Sequence, residues 1–320
     1  MTRTALFSLH DISGADRYAE DLIKAGWRII GSRETVELLR KKGLPVCDIA
    51  DFVGMDTDYG FPPTLHPKVE FALTVDCEER IDLVYVVPYP LSAGNDIGGR
   101  TLLGLAVKGG RIAVMDVGDM EMVVREVVAT GGLSWPRRRD LSNKACFAVA
   151  RHYLNLMDDF EQYDALIGSK AFDLLNGENP YQVPASAFAF EDGNDQLALL
   201  RFERIAGELP CYTNLADADA ILRTLCISAE AFRLNLGAVP YICIAAKHGN
   251  ACGFGISFDS SELSVKKALF GNPRAVWGGE VITNFSIDDR LAELLIGSSD
   301  RERICGSRSW MLAVSYTHLR

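Results

Sequence analysis

The chain has 320 residues, of which 48% are hydrophobic and 24% charged. At about 150 residues per domain this suggests about two domains, and the ordinary mixture excludes a largely disordered chain. A formal charge of −10 argues against non-specific binding to nucleic acid, while a local basic pocket for an anionic small molecule stays open.

In chain order, Thr4–Ser8 reads as a strand, and Asp16–Ala25 has the helical period in Ala19, Leu22 and Ile23. A second strand is expected over Trp27–Ile30, a second helix over Glu34–Lys42 stopped by Gly43, and a third strand over Val46–Ile49. Leu83–Val87 (LVYVV) is an uninterrupted run of the kind covered on both faces. A helix over Thr101–Val107, a strand over Arg111–Met115 and a helix over Met120–Thr130 complete the first part. Strand and helix alternating in this way imply a parallel sheet with right-handed crossovers. Ligands bind such sheets at the carboxyl ends of the strands, which sets Ser8–Gly14, Gly31–Thr35 and Val87–Gly99 around one mouth. Helix N-termini opening there favour an anionic group such as a phosphate.

Gly131–Asp140 (GGLSWPRRRD) reads as a linker whose arginine run is a solvated hinge. A long helical pattern follows over Leu141–Ile167, then a loop over Gly177–Ala185, a helix over Leu215–Leu225, and a buried-type strand over Tyr241–Ala246. The longest apolar stretch, Ile81–Leu91, carries Asp82 and two prolines, far short of the ~20 residues of a membrane helix. The N-terminus reads as a strand with no signal segment, and the eight cysteines form no CxxC pair. Free thiols and a cytoplasmic location are therefore expected. Ser315–Arg320 (SYTHLR) reads as a non-native, adapter-derived tail, so the natural protein is expected to continue beyond Val314.

Two constellations carry chemistry. The strand over Tyr241–Ala246 runs directly into Lys247-His248 and a glycine-punctuated turn. A neighbouring cation favours the neutral, proton-accepting imidazole, and the lysine could stabilise an oxyanion formed on an attacked formyl carbonyl. The plain alternative is a surface lysine beside a helix-capping histidine. The second cluster is Tyr89, Asp96 and Lys108, in which the lysine would move a proton at a ring-closing carbon while the carboxylate orients an amide or water. Here the plain alternative is an N-cap Asp96 and a helix-terminal Lys108. His66, in the turn Thr64-Leu65-His66-Pro67, has no second ligand at metal spacing, so no metal site is expected. No P-loop, GxGxxG or GxSxG motif occurs.

Taken in order, these segments resemble the bifunctional purine-biosynthesis family that performs AICAR formyl transfer and IMP cyclohydrolysis. The matching pieces in the first half are ALFSLHDISG (5–14), GLPVCDIADFVG (43–54), TLHPKV (64–69), Tyr89-Pro90, DIGGRTLL (96–103) and Lys108. The second half adds GENPYQ (177–182), NLADADA (214–220), AKHGNACG (246–253) and AVWGGEVITN (275–284). The resemblance implies an α/β chain: a methylglyoxal-synthase-like parallel-sheet cyclohydrolase domain over 1–131 and a linker and helical region over 132–175. A partial cytidine-deaminase-like formyltransferase domain over 176–314 and the tail over 315–320 would follow.

It also implies Lys108 as proton-transfer lysine, Lys247 and His248 as oxyanion partner and general base, and Ser8, Ser32 and Thr35 as phosphate cradle. Thr64, Tyr89, Asp96, Ile97, Asn179, Asn214, Gly278, Gly279 and Asn284 would contact substrate. The co-substrate would be 10-formyltetrahydrofolate, the other ligands AICAR, formyl-AICAR and IMP, and the assembly a homodimer without nucleic acid or membrane.

Departures from the family pattern concentrate on phosphate binding. Ile12 stands where the family has lysine, Ser32-Arg33-Glu34-Thr35 lacks the glycines of the phosphate turn, and the segment ending in Thr64-Leu65-His66-Pro67 lacks an Arg and a Lys. At least three cationic partners are thus missing, each charge-assisted bond being worth ~1.5–3 kcal/mol; His10, Arg33 and Arg100 are the nearest substitutes. In the second half, Leu175-Asn176-Gly177-Glu178-Asn179-Pro180-Tyr181-Gln182 lacks the family's Arg, Tyr and His. These losses argue against full activity and open two competing readings. One is a non-catalytic nucleotide-binding relative of the same fold. The other is a methylglyoxal-synthase-like lyase, which leaves the second half without a role.

Overall fold

The computed structural model describes residues 2–55, 63–157, 162–190, 197–205, 207–276, 278–296 and 312–315. Contacts divide the chain into two compact units, Met1–Ala165 and Leu166–Arg320.

The first unit holds β1 (Thr4–Leu9), α1 (Ala15–Lys24), β2 (Arg28–Gly31), α2 (Arg33–Lys41), β3 (Val46–Asp48), α3 (Ile49–Val53), α4 (Pro67–Thr74), β4 (Leu83–Val87), α5 (Ile97–Lys108), β5 (Ile112–Val114), α6 (Val117–Thr130) and α7 (Trp135–Leu154). Its five strands are all parallel in the order β3-β2-β1-β4-β5. β4 (LVYVV) is apolar throughout and β1 (TALFSL) is apolar except at Thr4 and Ser8, because helices cover both faces. Ala5, Phe7 and Leu9 of β1 pack with residues of α1, α2 and α6, while Leu6 packs with residues of α3, α4, α5 and α7. The strand-helix rhythm read from the sequence holds, with ends displaced by a few residues.

The arginine run is not a hinge. Gly131, left-handed at φ 76°, closes α6, and Ser134 with Pro136 opens α7 three residues later. Two helix-end signals placed back to back mimic a linker. Leu141, Ala145, Ala148 and His152 then form the buried stripe of α7, which packs on α5 and β5 inside the first unit. The helix expected to reach Ile167 ends at Leu154, and residues 158–161 lie outside the described residues.

The second unit holds β6 (Ser169–Leu174), β7 (Ala185–Ala189), α8 (Tyr212–Leu236), β8 (Tyr241–Lys247), β9 (Asn250–Ser257), α9 (Ser261–Phe270), α10 (Pro273–Val276), β10 (Glu280–Thr283), α11 (Asp289–Ile296) and β11 (Leu312–Ser315). A four-stranded mixed sheet runs β11-β10-β8-β9, and β6 pairs with β7 in a separate hairpin. Ile242, Ile244 and Ala246 of β8 face Ile221, Leu222 and Leu225 of α8; Cys243 and Ala245 face α9 and α11. This alternation makes a three-layer α/β arrangement. Ser315, the first residue of the suspected tail, pairs with Thr283, and residues 316–320 lie outside the described residues.

Candidate functional site

In the first unit the carboxyl ends of β1, β2 and β4 lie side by side, where the sequence reading expected a mouth. Ser8 and Ser32 are half-buried there, with Ser32 at the N-cap position of α2 and its hydroxyl 2.9 Å from Thr35 Oγ1. Thr35 Oγ1 also accepts the Leu9 N–H at 3.1 Å, and Thr35 is fully buried. Its hydroxyl therefore joins β1 to α2, which differs from the expected direct phosphate contact. Tyr89 donates its hydroxyl to Asn95 O at 3.2 Å and lies edge-on to His10. Asp96 caps α5 by accepting the Gly99 N–H at 2.7 Å, the plain role foreseen for it, and Ile97 follows as an exposed first helical residue. Thr64 is buried in a short turn (Pro63–Leu65) against α5, and its Oγ1 has no hydrogen-bond partner among the described residues.

Two further residues stand here: Arg100, named from the sequence as a substitute cation, and His152, which the sequence reading passed over. Arg100, in the first turn of α5, is half-buried near Asp96, and its Nε lacks a partner among the described residues. Burial holds its guanidinium below the ordinary value, with Asp96 acting against the shift. His152 of α7 is buried with Nε2 2.7 Å from Asn95 Oδ1. Burial, then the Arg100 charge, pushes its imidazole below the usual range. His152 was missed because treating the start of α7 as a linker separated its residues from the sheet.

Lys108 does not join this group. It ends α5, while Asp96 begins it; twelve residues at ~1.5 Å rise separate them by ~18 Å. The helix carries Lys108 to the opposite, amino-terminal edge of the sheet, where Nζ pairs with Glu70 at 3.1 Å and the side chain is 64% exposed. The expected Tyr89–Asp96–Lys108 cluster is thus corrected to Tyr89 and Asp96 with Arg100 and His152 as neighbours.

The second unit gathers its expected residues more closely. Lys247 and Asn250 face each other across a two-residue turn in which His248 (φ 53°) and Gly249 (φ 71°) are both left-handed. A histidine in that conformation is strained and needs external support. Asp217 of α8 supplies it: one carboxylate oxygen accepts the His248 N–H at 3.0 Å, the other the Gly249 N–H at 2.5 Å. A bulge just before the turn re-aims the strand end, as Ala245 pairs with Gly253 but Ala246 with Ala251. The His248 side chain stands exposed at the tip beside Lys247.

Behind the tip lies a buried polar cluster. Asn214 Nδ2 donates to Glu280 Oε1 at 2.7 Å, and Asn214 Oδ1 accepts the Cys211 N–H at 2.9 Å. Glu280, only 3% exposed, also hydrogen-bonds to Asp217. Burial first, and then the Asp217 carboxylate, pushes its carboxyl up to about 7, against the Asn214 bond. The two backbone N–H groups point at the Asp217 carboxylate, while Glu280 is the carboxyl that burial pushes up. Glu280 and Asp217 were not singled out from sequence; their pairing joins positions far apart in the chain.

Gly279 lets β10 approach this end, since a Cβ there would lie 2.2 Å from Ala246 O and 2.8 Å from Lys247 Cγ; Gly278 beside it is left-handed. Asn179 lies in a turn closed by Gly177 N–H to Gln182 O and Gln182 N–H to Asn179 O. Asn176, just before that turn, accepts the Tyr212 N–H at 3.1 Å, which ties this segment to the start of α8. Asn214, expected to contact substrate, is buried and bonded to Cys211 and Glu280.

Asn284 is a correction. It is fully buried, donates to Pro240 O at 2.9 Å and accepts the Ile242 N–H at 2.7 Å, which fixes it at the far end of β8 from Lys247. Its amide holds the sheet together. Among the described residues no group of three or more His, Cys, Asp or Glu is poised for a metal, and no helix is long and apolar enough to cross a membrane.

Comparison with known proteins bears on this geometry. A solved structure described as "Crystal structure of ForH" is 28% identical to this chain, covering 48% of it and 95% of that chain, with a TM-score of 0.42. The sequence model of the AICARFT/IMPCHase bienzyme matches residues 111–302, a stretch that takes in α7, the Asp217 clamp and the Lys247-His248 tip. That match spans more than half of the chain, and the protein belongs to the AICARFT/IMPCHase bienzyme family.

Proposed function

We propose that the second unit transfers a formyl group from 10-formyltetrahydrofolate to the 5-amino group of AICAR. The observation that carries this reading is the Lys247-His248 tip, an imidazole and an ammonium side by side on a turn clamped by Asp217. The amine nitrogen attacks the formyl carbon, and His248 takes the amine proton. Lys247 stabilises the oxyanion that forms on the formyl oxygen. Collapse of the adduct breaks the bond from the formyl carbon to the folate nitrogen, which takes up a proton. Asp217, Asn214 and Glu280 act through the backbone of the tip. The reading brings with it a homodimer and a cytoplasmic location.

For the first unit we propose ribonucleotide binding at the mouth formed by Ser8, Ser32, Tyr89 and Asp96. Cyclisation of formyl-AICAR to IMP by Lys108 is not part of this proposal, because α5 carries that lysine to the other edge of the sheet. The same observation favours the non-catalytic, nucleotide-binding reading for this unit alone.

The test is an assay of the full chain with AICAR and 10-formyltetrahydrofolate, following formyl-AICAR by chromatography, beside calorimetric titration with AICAR and IMP. Turnover in the wild type, lost in His248→Ala and Lys247→Met with folding intact, is the expected result. Heat from AICAR without turnover, or turnover unchanged in His248→Ala, refutes the catalytic reading.

A further inference from the structure

The amino-terminal edge of the five-stranded sheet gathers four arginines that neither mouth uses. Arg3 precedes β1, Arg80 precedes β4, Arg111 precedes β5, and Arg138 lies in the first turns of α7. With Trp27 and Asp82 they line a cleft of about 120 Å3. That is far above the ~10–15 Å3 needed to hold one water.

The charges in the cleft do not balance. Asp76 accepts from Arg111 Nη1 at 2.9 Å and from Arg80 Nη1 at 3.3 Å. Asp82 accepts from Arg80 Nε at 2.8 Å and from the Thr4 N–H at 3.1 Å. Arg111 also donates Nε to Leu73 O at 2.8 Å and Nη2 to Val75 O at 3.0 Å, which fixes it in a buried position. Arg3 donates to Gly131 O and sits over the Trp27 ring at 5.6 Å. Arg138 donates Nε to Leu133 O at 3.3 Å.

Among the described residues, no carboxylate forms an ion pair with Arg3 or Arg138. Four guanidinium groups thus face two carboxylates, and every guanidinium carries five donors. Burial holds the Arg138 guanidinium below its ordinary value; Asp82 opposes this, and Arg3, Arg80 and Arg111 add to it. Like charges gathered in a half-buried cleft raise one another's cost, and an entering anion relieves it.

We propose that this cleft is a binding site for a small phosphate-type oxyanion, either inorganic phosphate or the phosphate group of a monoester. The excess of two positive charges matches a phosphate monoester, which carries a charge of about −1.5 to −2 at pH 7. The guanidinium fork suits bidentate contact with phosphate oxygens. The site is separate from the nucleotide mouth: the six residues of β1 at ~3.3 Å each put ~20 Å between the two sheet edges. Because Trp27 touches Arg3, occupation of the cleft also changes the surroundings of an indole.

The experiment is calorimetric titration of the full chain with inorganic phosphate and, separately, ribose 5-phosphate at low ionic strength, where exposed charges are least screened. Trp27 fluorescence, read against a Trp27→Phe variant, reports from the site itself. Saturable one-to-one binding is expected. It should weaken about tenfold or more in Arg138→Gln and in Arg3→Gln, recover in part in Arg138→Lys, and stay unchanged in the mouth variant Ser32→Ala. The comparison of the two ligands separates free phosphate from an ester as the natural occupant. The Arg138→Gln protein without ligand should melt no lower than the wild type, which keeps a loss of binding distinct from a loss of fold. Absence of saturable heat at millimolar phosphate overturns the proposal. So does binding that survives both arginine substitutions or falls instead in Ser32→Ala.

Discussion

Replacing Glu280 by glutamine should abolish a pH dependence that the buried carboxyl imposes on the second unit. The folded protein holds this group at about 7 against an ordinary value of 4.5, because burial and Asp217 disfavour its ionised form. Between those two values the native state binds more protons than the unfolded chain, so stability falls as pH rises. The contribution is complete below 4.5 and lost by about 7; at 1.36 kcal/mol per pH unit that interval amounts to about 3 kcal/mol. In Glu280→Gln the amide nitrogen donates to Asp217 and the amide oxygen still accepts from Asn214. The hydrogen bonds persist without a titrating proton.

Urea denaturation of both proteins at about pH 4 and about pH 8, followed by circular dichroism, reads the difference in free energy. Near-equal stability in acid and a variant more stable by up to about 3 kcal/mol at the alkaline end is expected. A variant less stable than wild type at alkaline pH, or a gap that does not change with pH, refutes the assignment of the proton to Glu280. Amide exchange at His248 and Gly249 gives a second readout, since ionised Glu280 would repel the carboxylate that holds their N–H groups.

Gly279→Ala should destabilise the second unit by about 1–3 kcal/mol, because the added methyl meets the Ala246 carbonyl, and the same denaturation curves measure it. Lys108→Ala removes only an exposed pair with Glu70, so thermal unfolding should change by less than about 0.5 kcal/mol. Calorimetric affinity for IMP should not change in that variant, and a loss would return Lys108 to the mouth. His152 sits below the ordinary imidazole range, so folding favours its neutral form. That contribution is full above the ordinary value and lost as pH falls through the folded one. Acid destabilisation of the first unit should therefore be smaller in His152→Gln, as read from the pH series of melting curves.

The parts of the fold legible in the sequence are those set by local pattern. The run of β4 announces a strand covered on both faces, β1 reads as a strand, and β8 announces its own end at Lys247-His248. What escaped depends on contacts between distant positions. No local signal ties Asp217 to the amides of His248 and Gly249, or Asn214 to Glu280, since each pair spans tens of residues. Asn284 looked like a substrate contact because it follows Gly278-Gly279, yet β10 carries it along the strand to the other end of β8. Lys108 is different, because the signal was present. Twelve residues of helix after Asp96 make more than three turns, and no helix brings its two ends to one pocket.

The family match begins at Arg111, so the phosphate-cradle segments of the first unit lie outside it, while the Asp217 clamp and the Lys247-His248 tip lie within. At the mouth Thr35 is consumed by Leu9 and Ser32, Glu34 adds negative charge to the first turn of α2, and Ile12 stands at the position of the missing lysine. Half-buried Arg100, with an unpartnered Nε among the described residues, is the cation best placed to receive a ligand there. A cluster of four arginines lies instead at the opposite sheet edge, around Arg138. A nucleotide entering the first unit would therefore lean on the polar rim of Ser8, Ser32, Tyr89 and Asp96 and on Arg100. Its affinity should accordingly depend less on salt than that of phosphate at the arginine cleft. Calorimetry of IMP and of phosphate across the same salt series separates the two, and an equal salt dependence would mean that both ligands occupy one site.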